Sequence, residues 1–196
     1  MPSEPLTLAF DTSAAHCAAA LLRGGACLGT VYEPMKKGQS ERLFGLLEEL
    51  LASQGQSWQD LDKIGVGTGP GNFTGIRIAV SAARGLAMSL GIPAVGVSGF
   101  SAARFGSASD TAVALPAPRD QVYFSSRGDD AALIAASAAG PALGLPAPED
   151  LVCRIARIAA ATEAAVPPAP LYIRAADAAP AADQPPRLLD EPLDDG

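Results

Sequence analysis

An α/β fold built on a mixed sheet with flanking helices is predicted by three features of the 196-residue chain. Three short apolar runs near the N-terminus are separated by turn residues, as in strands joined by hairpins. A glycine-rich stretch, Gly65-Val66-Gly67-Thr68-Gly69-Pro70-Gly71-Asn72-Phe73-Thr74-Gly75, closes a further short strand and opens the longest helical pattern in the sequence. Hydrophobic residues make up 48% of the chain but aromatics only 5%, so the core must be built from Ala, Val, Leu and Ile. Small side chains of this kind favour closely spaced elements over deep ligand cavities.

Taken in order, Leu6 to Phe10 reads as a strand ending at Asp11, followed by Thr12 and Ser13. Cys17 to Leu22 turns at Arg23-Gly24-Gly25 into a third strand, Ala26 to Tyr32. A two-residue turn at Gly24-Gly25 sets a register in which Cys27 faces Leu22 and Cys17 faces Tyr32. No disulfide follows from that register. Cys17, Cys27 and Cys153 each sit in an apolar segment, where a free thiol serves as a small buried hydrophobe.

Ser40 is expected to cap a helix running to about Ala52, with Glu41 favouring its dipole. Leu43, Phe44, Leu46, Leu47, Leu50 and Leu51 cover an arc of roughly 160°, wider than the roughly 100° stripe that packing on a sheet requires. Part of that face is left for a second neighbour. The polar connection from Ser53 to Asp60 carries Trp58, a plug for the edge of the core. Lys63 to Thr68 is the next strand, and Thr74 to Leu90 the helix after it, closed by Gly91 and Pro93. Ile76, Ala79, Val80, Ala83, Leu86, Ala87 and Leu90 should lie on the sheet. Ile78, Ala82, Gly85 and Ser89 line up on the side roughly opposite, where small residues permit close approach of another helix.

Pro93 to Val97 adds a fifth, parallel strand. Strand, strand, strand, helix, strand is the opening order of a ribonuclease-H-like fold. Beyond Ser101 the text turns Ala- and Pro-rich. Thr111 to Ala117 and Gln121 to Ser126 read as strands joined at Pro118-Arg119-Asp120. Pro148 opens a helix with Leu151, Val152, Ile155, Ile158 and Ala159 on one face. The expected division is a first lobe over 1–101, a reduced second lobe over 102–174, and a disordered tail over 175–196, where Ala, Pro and Asp follow no period.

Charge and inventory narrow the function. With a formal net charge of -7 and only Lys36-Lys37 adjacent, the chain lacks the basic stripe that independent nucleic-acid binding needs. Any role with nucleic acid is therefore expected to be indirect. No apolar run is long enough to span a membrane, and no basic and apolar leader opens the sequence, so a cytoplasmic location is expected. His16 stands alone and supplies no H-E-x-x-H pair, so neither a metal site nor a set of catalytic residues is assembled. The N–H groups of Asn72 to Ile76 would lie at a helix N-terminus, which favours an anion. Yet the stretch is neither G-x-x-x-x-G-K-[ST] nor G-x-G-x-x-G, and no lysine follows it. A phosphate cradle and a purely structural turn both remain open.

Gly69-Pro70-Gly71-Asn72-Phe73-Thr74-Gly75-Ile76-Arg77-Ile78 resembles the G-P-G-S-F-T-G-x-R-I signature of the TsaB family, also called YeaZ, with Asn72 in the serine place. Leu8-Ala9-Phe10-Asp11-Thr12-Ser13, Ser40-Glu41-Arg42-Leu43, Ala83-Arg84-Gly85-Leu86-Ala87, Val122-Tyr123 and Pro170-Leu171-Tyr172-Ile173-Arg174 are similar at matching places. Pro116-Ala117-Pro118 stands where the family commonly has Asp-Ala-Arg. The resemblance implies an actin-like, ribonuclease-H-like ATPase-superfamily fold and a non-catalytic partner of a TsaD-type subunit. That subunit makes threonylcarbamoyladenosine at position 37 of ANN-decoding tRNAs. A TsaE-type ATPase as further partner, a homodimer in isolation and no resident cofactor are also implied.

In related sugar-kinase and actin ATPases the acidic residue ending the first strand holds the metal. Asp11, Thr12 and Ser13 occupy that place and are the candidate cofactor-binding turn; alternatively Asp11 only ties down its own turn. Leu43, Leu47, Leu50, Ile78, Ala82, Gly85 and Ser89 are the candidate partner interface. Gly69, Pro70, Gly71, Phe73, Thr74, Gly75 and Arg77 form the structural signature. The competing functions are a nucleotide-binding, kinase-like module and a glycoprotease-like hydrolase of the peptidase M22 type.

Overall fold

The computed structural model describes residues 4–128, 130–164 and 166–173. The expected tail, and Arg174, lie outside them. Strands β1 (Leu6–Asp11), β2 (His16–Arg23) and β3 (Ala26–Pro34) precede helix α1 (Gln39–Ser53), β4 (Lys63–Gly67), helix α2 (Phe73–Leu90) and β5 (Ala94–Val97). They form one mixed sheet in the order β3-β2-β1-β4-β5. β1, β2 and β3 run antiparallel, whereas β1, β4 and β5 are parallel, as the crossover helix requires.

The central strands are buried on both faces, which explains their nearly continuous apolar text. Leu6, Leu8, Phe10, Cys17, Ala19 and Leu21 join a core with Leu43, Leu46, Leu47, Leu50 and Leu51 of α1 and Ile76, Ala79, Val80 and Ala83 of α2. Ala9, Ala18, Ala20 and Leu22 point the other way. That second face is covered by α4 (Pro148–Ala161), through Leu151, Val152, Ile155, Ala156 and Ala159. Alanines on the strands let the helix come close. A Cβ at Gly65 would lie 2.8 Å from that of Ala159, so glycine there is a packing requirement.

Between the two halves, α3 (Gly99–Arg104) leads to a second antiparallel sheet, β6 (Val113–Ala117), β7 (Gln121–Arg127) and β8 (Asp130–Ala135). Arg104 is buried and donates to the carbonyls of Thr111, Ser125 and Gly128, which ties α3 to this sheet. The turn between β6 and β7 holds Arg119 and Asp120 at φ values of 61° and 54°. Two left-handed residues suit the twist of a tight hairpin, although neither is glycine.

Four expectations need correction. Cys27, expected as a buried hydrophobe, is exposed, because β3 is the edge strand of the sheet. The hairpin register holds for Leu22 and Cys27, but a shift between Leu21 and Leu22 pairs Cys17 with Glu33, and Tyr32 with Ala18. A bulge of this kind leaves no mark on turn counting. Ser40 does not cap α1: Gly38, at φ 90°, starts the helix early, and the Ser40 hydroxyl donates to Glu41. Lastly, Leu47 and Leu50 are buried in the core and do not reach the α2 stripe, whereas Leu43, also buried, borders it. The turn of the helix directs Leu47 and Leu50 to the sheet and leaves Phe44, 44% exposed, as the large outward apolar side chain of α1.

Candidate functional site

The glycine-rich loop closes against the turn that follows β1. Asp11 is 2% exposed, and its Oδ2 accepts hydrogen bonds from the Ser13 N–H at 3.0 Å, the Ser13 hydroxyl at 2.9 Å and His16 Nε2 at 3.0 Å. Ser13 and His16 thus share one carboxylate oxygen. Across from them, Gly67 lies where any side chain would collide with Asp11 Oδ1. Gly71 and Gly75 lie equally close to the carbonyl oxygens of Ser13 and Thr12. The glycines serve this close approach of two backbones.

Hydrogen bonds fasten the two segments. The Asn72 N–H donates to the Ser13 carbonyl at 2.6 Å, and the Thr12 hydroxyl to the Gly75 carbonyl at 2.6 Å. Asn72 also caps α2, its side-chain oxygen accepting from the Gly75 N–H, while the Ile76 N–H bonds to the Asn72 carbonyl. Three of the five N–H groups that would cradle a phosphate, those of Asn72, Gly75 and Ile76, are therefore engaged within the chain. No group of three or more His, Cys, Asp or Glu able to hold a metal is found among the described residues.

Arg77 lies with its guanidinium 3.8 Å from the centre of the Phe73 ring and donates from Nε to the Tyr172 hydroxyl at 2.8 Å. Two stretches 95 residues apart in sequence thereby meet at one stacked cluster. The carbonyl of Thr68 accepts from the Leu171 N–H at 2.8 Å and fixes the same segment.

Ile78, Ala82, Gly85 and Ser89 line one side of a groove of about 540 Å³ between α2 and α1, with Leu43 and Phe44 opposite. Gly85 and Ser89 are exposed, Ile78 and Ala82 half-buried. A Cβ at Gly85 would meet nothing within 4 Å. Leu47 and Leu50 do not reach this groove. On the other flank of α2 a second groove, about 790 Å³, runs past Arg77, Arg84 and Met88, the last 84% exposed. Gly85 borders both. Neither Phe44 nor Met88 figured in the interface expected from the sequence; the wide apolar arc of α1 was the signal for Phe44.

Residues 27–179 match the family model for TsaD, tRNA N6-adenosine threonylcarbamoyltransferase. The Asp11 turn lies outside the matched part. The tRNA threonylcarbamoyladenosine biosynthesis protein TsaB of Escherichia coli is 34% identical over 91 residues, 46% of this chain and 39% of that protein. TsaB of Haemophilus influenzae is 32% identical over 123 residues, 60% and 52% of the two chains. An uncharacterised protein of Mycobacterium bovis is 33% identical over 199 residues, 89% of this chain and 94% of its own. The structure of YeaZ from Pseudomonas aeruginosa superimposes with a TM-score of 0.68 at 26% identity, covering 86% of this chain and 99% of that one. The chain belongs to the TsaB (YeaZ) family.

Membership explains the mixed sheet with helices on both faces, which follows the ribonuclease-H-like fold of the family. The match spans about two fifths of the E. coli TsaB and half of the H. influenzae one. No helix among the described residues is long and apolar enough to cross a membrane.

Proposed function

We propose that this chain is a non-catalytic partner subunit in the formation of N6-threonylcarbamoyladenosine at position 37 of tRNAs. It docks a TsaD-type catalytic subunit through the outward side of α2 and the groove beside α1. The observation that carries this reading is the open face at Gly85: small residues at Ala82, Gly85 and Ser89 border a groove whose far wall is the exposed Phe44. A helix presented by a related subunit would find close backbone approach and an apolar floor there.

The buried turn at Asp11 supports the non-catalytic part. Its carboxylate already takes three donors from its own chain, and the loop opposite is packed against it. A metal-holding role would require those bonds to be exchanged. Asp11, Thr12 and Ser13 are thus assigned a structural task, and no cofactor is invoked. A TsaE-type ATPase is the further component, and the free protein pairs with itself through the same face. With its net charge of -7, the subunit meets tRNA only through the assembled complex, in the cytoplasm.

The test is reconstitution. The chain alone, a TsaD-type subunit alone and their mixture, each with the TsaE-type ATPase and threonylcarbamoyl donor, are assayed for modified tRNA. Activity confined to the mixture is expected. Modification, or ATP turnover, by this chain without the TsaD-type subunit would overturn the reading.

A further inference from the structure

Cys27 on β3 and Cys153 on α4 are 126 residues apart in sequence, yet their sulfur atoms stand 2.9 Å from each other. The approach is made by packing. α4 lies across the sheet and reaches β3 at its edge, and Cys27 pairs with Leu22 on the turn side of the register shift. A disulfide requires sulfurs about 2.05 Å apart, so the two need to close by less than about 1 Å. Cys27 is exposed and Cys153 buried.

We infer that Cys27 and Cys153 form a peroxide-responsive thiol pair, which on oxidation becomes a reversible cross-link between the sheet edge and α4. The order of events follows from accessibility. The Cys27 sulfur, as thiolate, attacks one oxygen of hydrogen peroxide; the O–O bond breaks, hydroxide leaves and takes up a proton as water, and Cys27 becomes a sulfenic acid. The Cys153 sulfur then attacks the Cys27 sulfur. The S–S bond forms, the S–O bond breaks, and the departing oxygen leaves as a second water carrying the thiol proton. Two electrons pass from the thiols to one peroxide, and a dithiol reductant reverses the change.

Burial, followed by the neighbouring Cys27, pushes the Cys153 thiol up to about 12. A thiol held in that form is a poor first target for peroxide, which leaves Cys27 as the attacking sulfur. Cys17 is an internal control. It is fully buried in the core on the opposite face of the sheet, with its sulfur against Met35 and the Gln39 carbonyl.

The full chain is treated with hydrogen peroxide, and free thiols are counted in denaturant, disulfides mapped by mass spectrometry, and melting followed with and without a dithiol reductant. The expected result is a fall from the three thiols of the sequence to one, a peptide pair joined through Cys27 and Cys153, and a melting temperature raised by about 5 °C. Cys27→Ser, at an exposed position, should fold normally and lose both the cross-link and the rise. Retention of all three thiols, a link through Cys17 or between chains, or an equal rise in Cys27→Ser would overturn the inference.

Discussion

The side-chain oxygen of Asn72 accepts a hydrogen bond from the backbone N–H of Gly75 at 2.8 Å, so the residue that departs from the family signature is itself the cap of α2. An N-cap of this type contributes about 1 kcal/mol. Asn72→Ala should lose about that much in urea unfolding, while Asn72→Ser, which restores the signature, should stay within a few tenths of wild type. Equal losses for the two would mean that the cap contributes nothing.

Glycines in and after the signature should respond oppositely to alanine. Gly67 and Gly75 have no room for a Cβ against Asp11 and Thr12, and overpacking of this kind costs about 1–3 kcal/mol. Gly85 faces open space inside a helix, where alanine gains about 1 kcal/mol. Denaturant midpoints of Gly67→Ala, Gly75→Ala and Gly85→Ala give the answer directly. A destabilised Gly85→Ala would show that α2 is more crowded there than the groove implies.

Gly85→Glu should fold, because its side chain enters solvent, yet it should block a partner helix by placing an unpaired carboxylate in the contact. Sedimentation and the reconstituted modification assay should both report loss, with circular dichroism unchanged. Leu47→Ala is the contrasting case. It opens a cavity in the core and should cost about 2–5 kcal/mol of stability. A folded Gly85→Glu that still pairs and still supports modification would move the interface elsewhere.

Burial, and then the nearby Glu33, push the Cys17 thiol up to about 11. In the unfolded chain it titrates near about 8.5. Its folded value being the higher, the protonated thiol stabilises the fold fully below about pH 8.5. That contribution should be lost as pH rises through about 11. Urea midpoints measured from pH 8 to pH 11 under reducing conditions should therefore fall, and more gently in Cys17→Ala. An identical slope in that variant would show that other groups carry the whole effect.

Much of the first sheet was readable because its strands end on turn residues and its helices have distinct apolar sides. Gly91 closes α2 in a left-handed conformation, at φ 68°, as its place before Pro93 suggests. Trp58 packs at the border of the core. The sequence did not disclose β8, whose Asp-Ala-Ala-Leu-Ile-Ala has no alternation, or α3, which is six residues long and begins at glycine. It pointed to Leu43, Ile78, Ala82, Gly85 and Ser89 in the groove, but on the α1 side it added Leu47 and Leu50 and left out Phe44. Hydrophobic arcs show that a helix has two neighbours, not which residues meet the larger one. The meeting of Arg77 with Tyr172 and that of Cys27 with Cys153 depend on long-range packing and have no local signal.

Because the second face of the first sheet is roofed by α4, the order of synthesis matters. All five strands are made before the helix that covers Ala9, Ala18, Ala20 and Val95. A nascent chain halted after β5 would present that alanine-lined surface to water and to its neighbours. Among the described residues the last helix to be synthesised is thus the one that shields the earliest strands from aggregation.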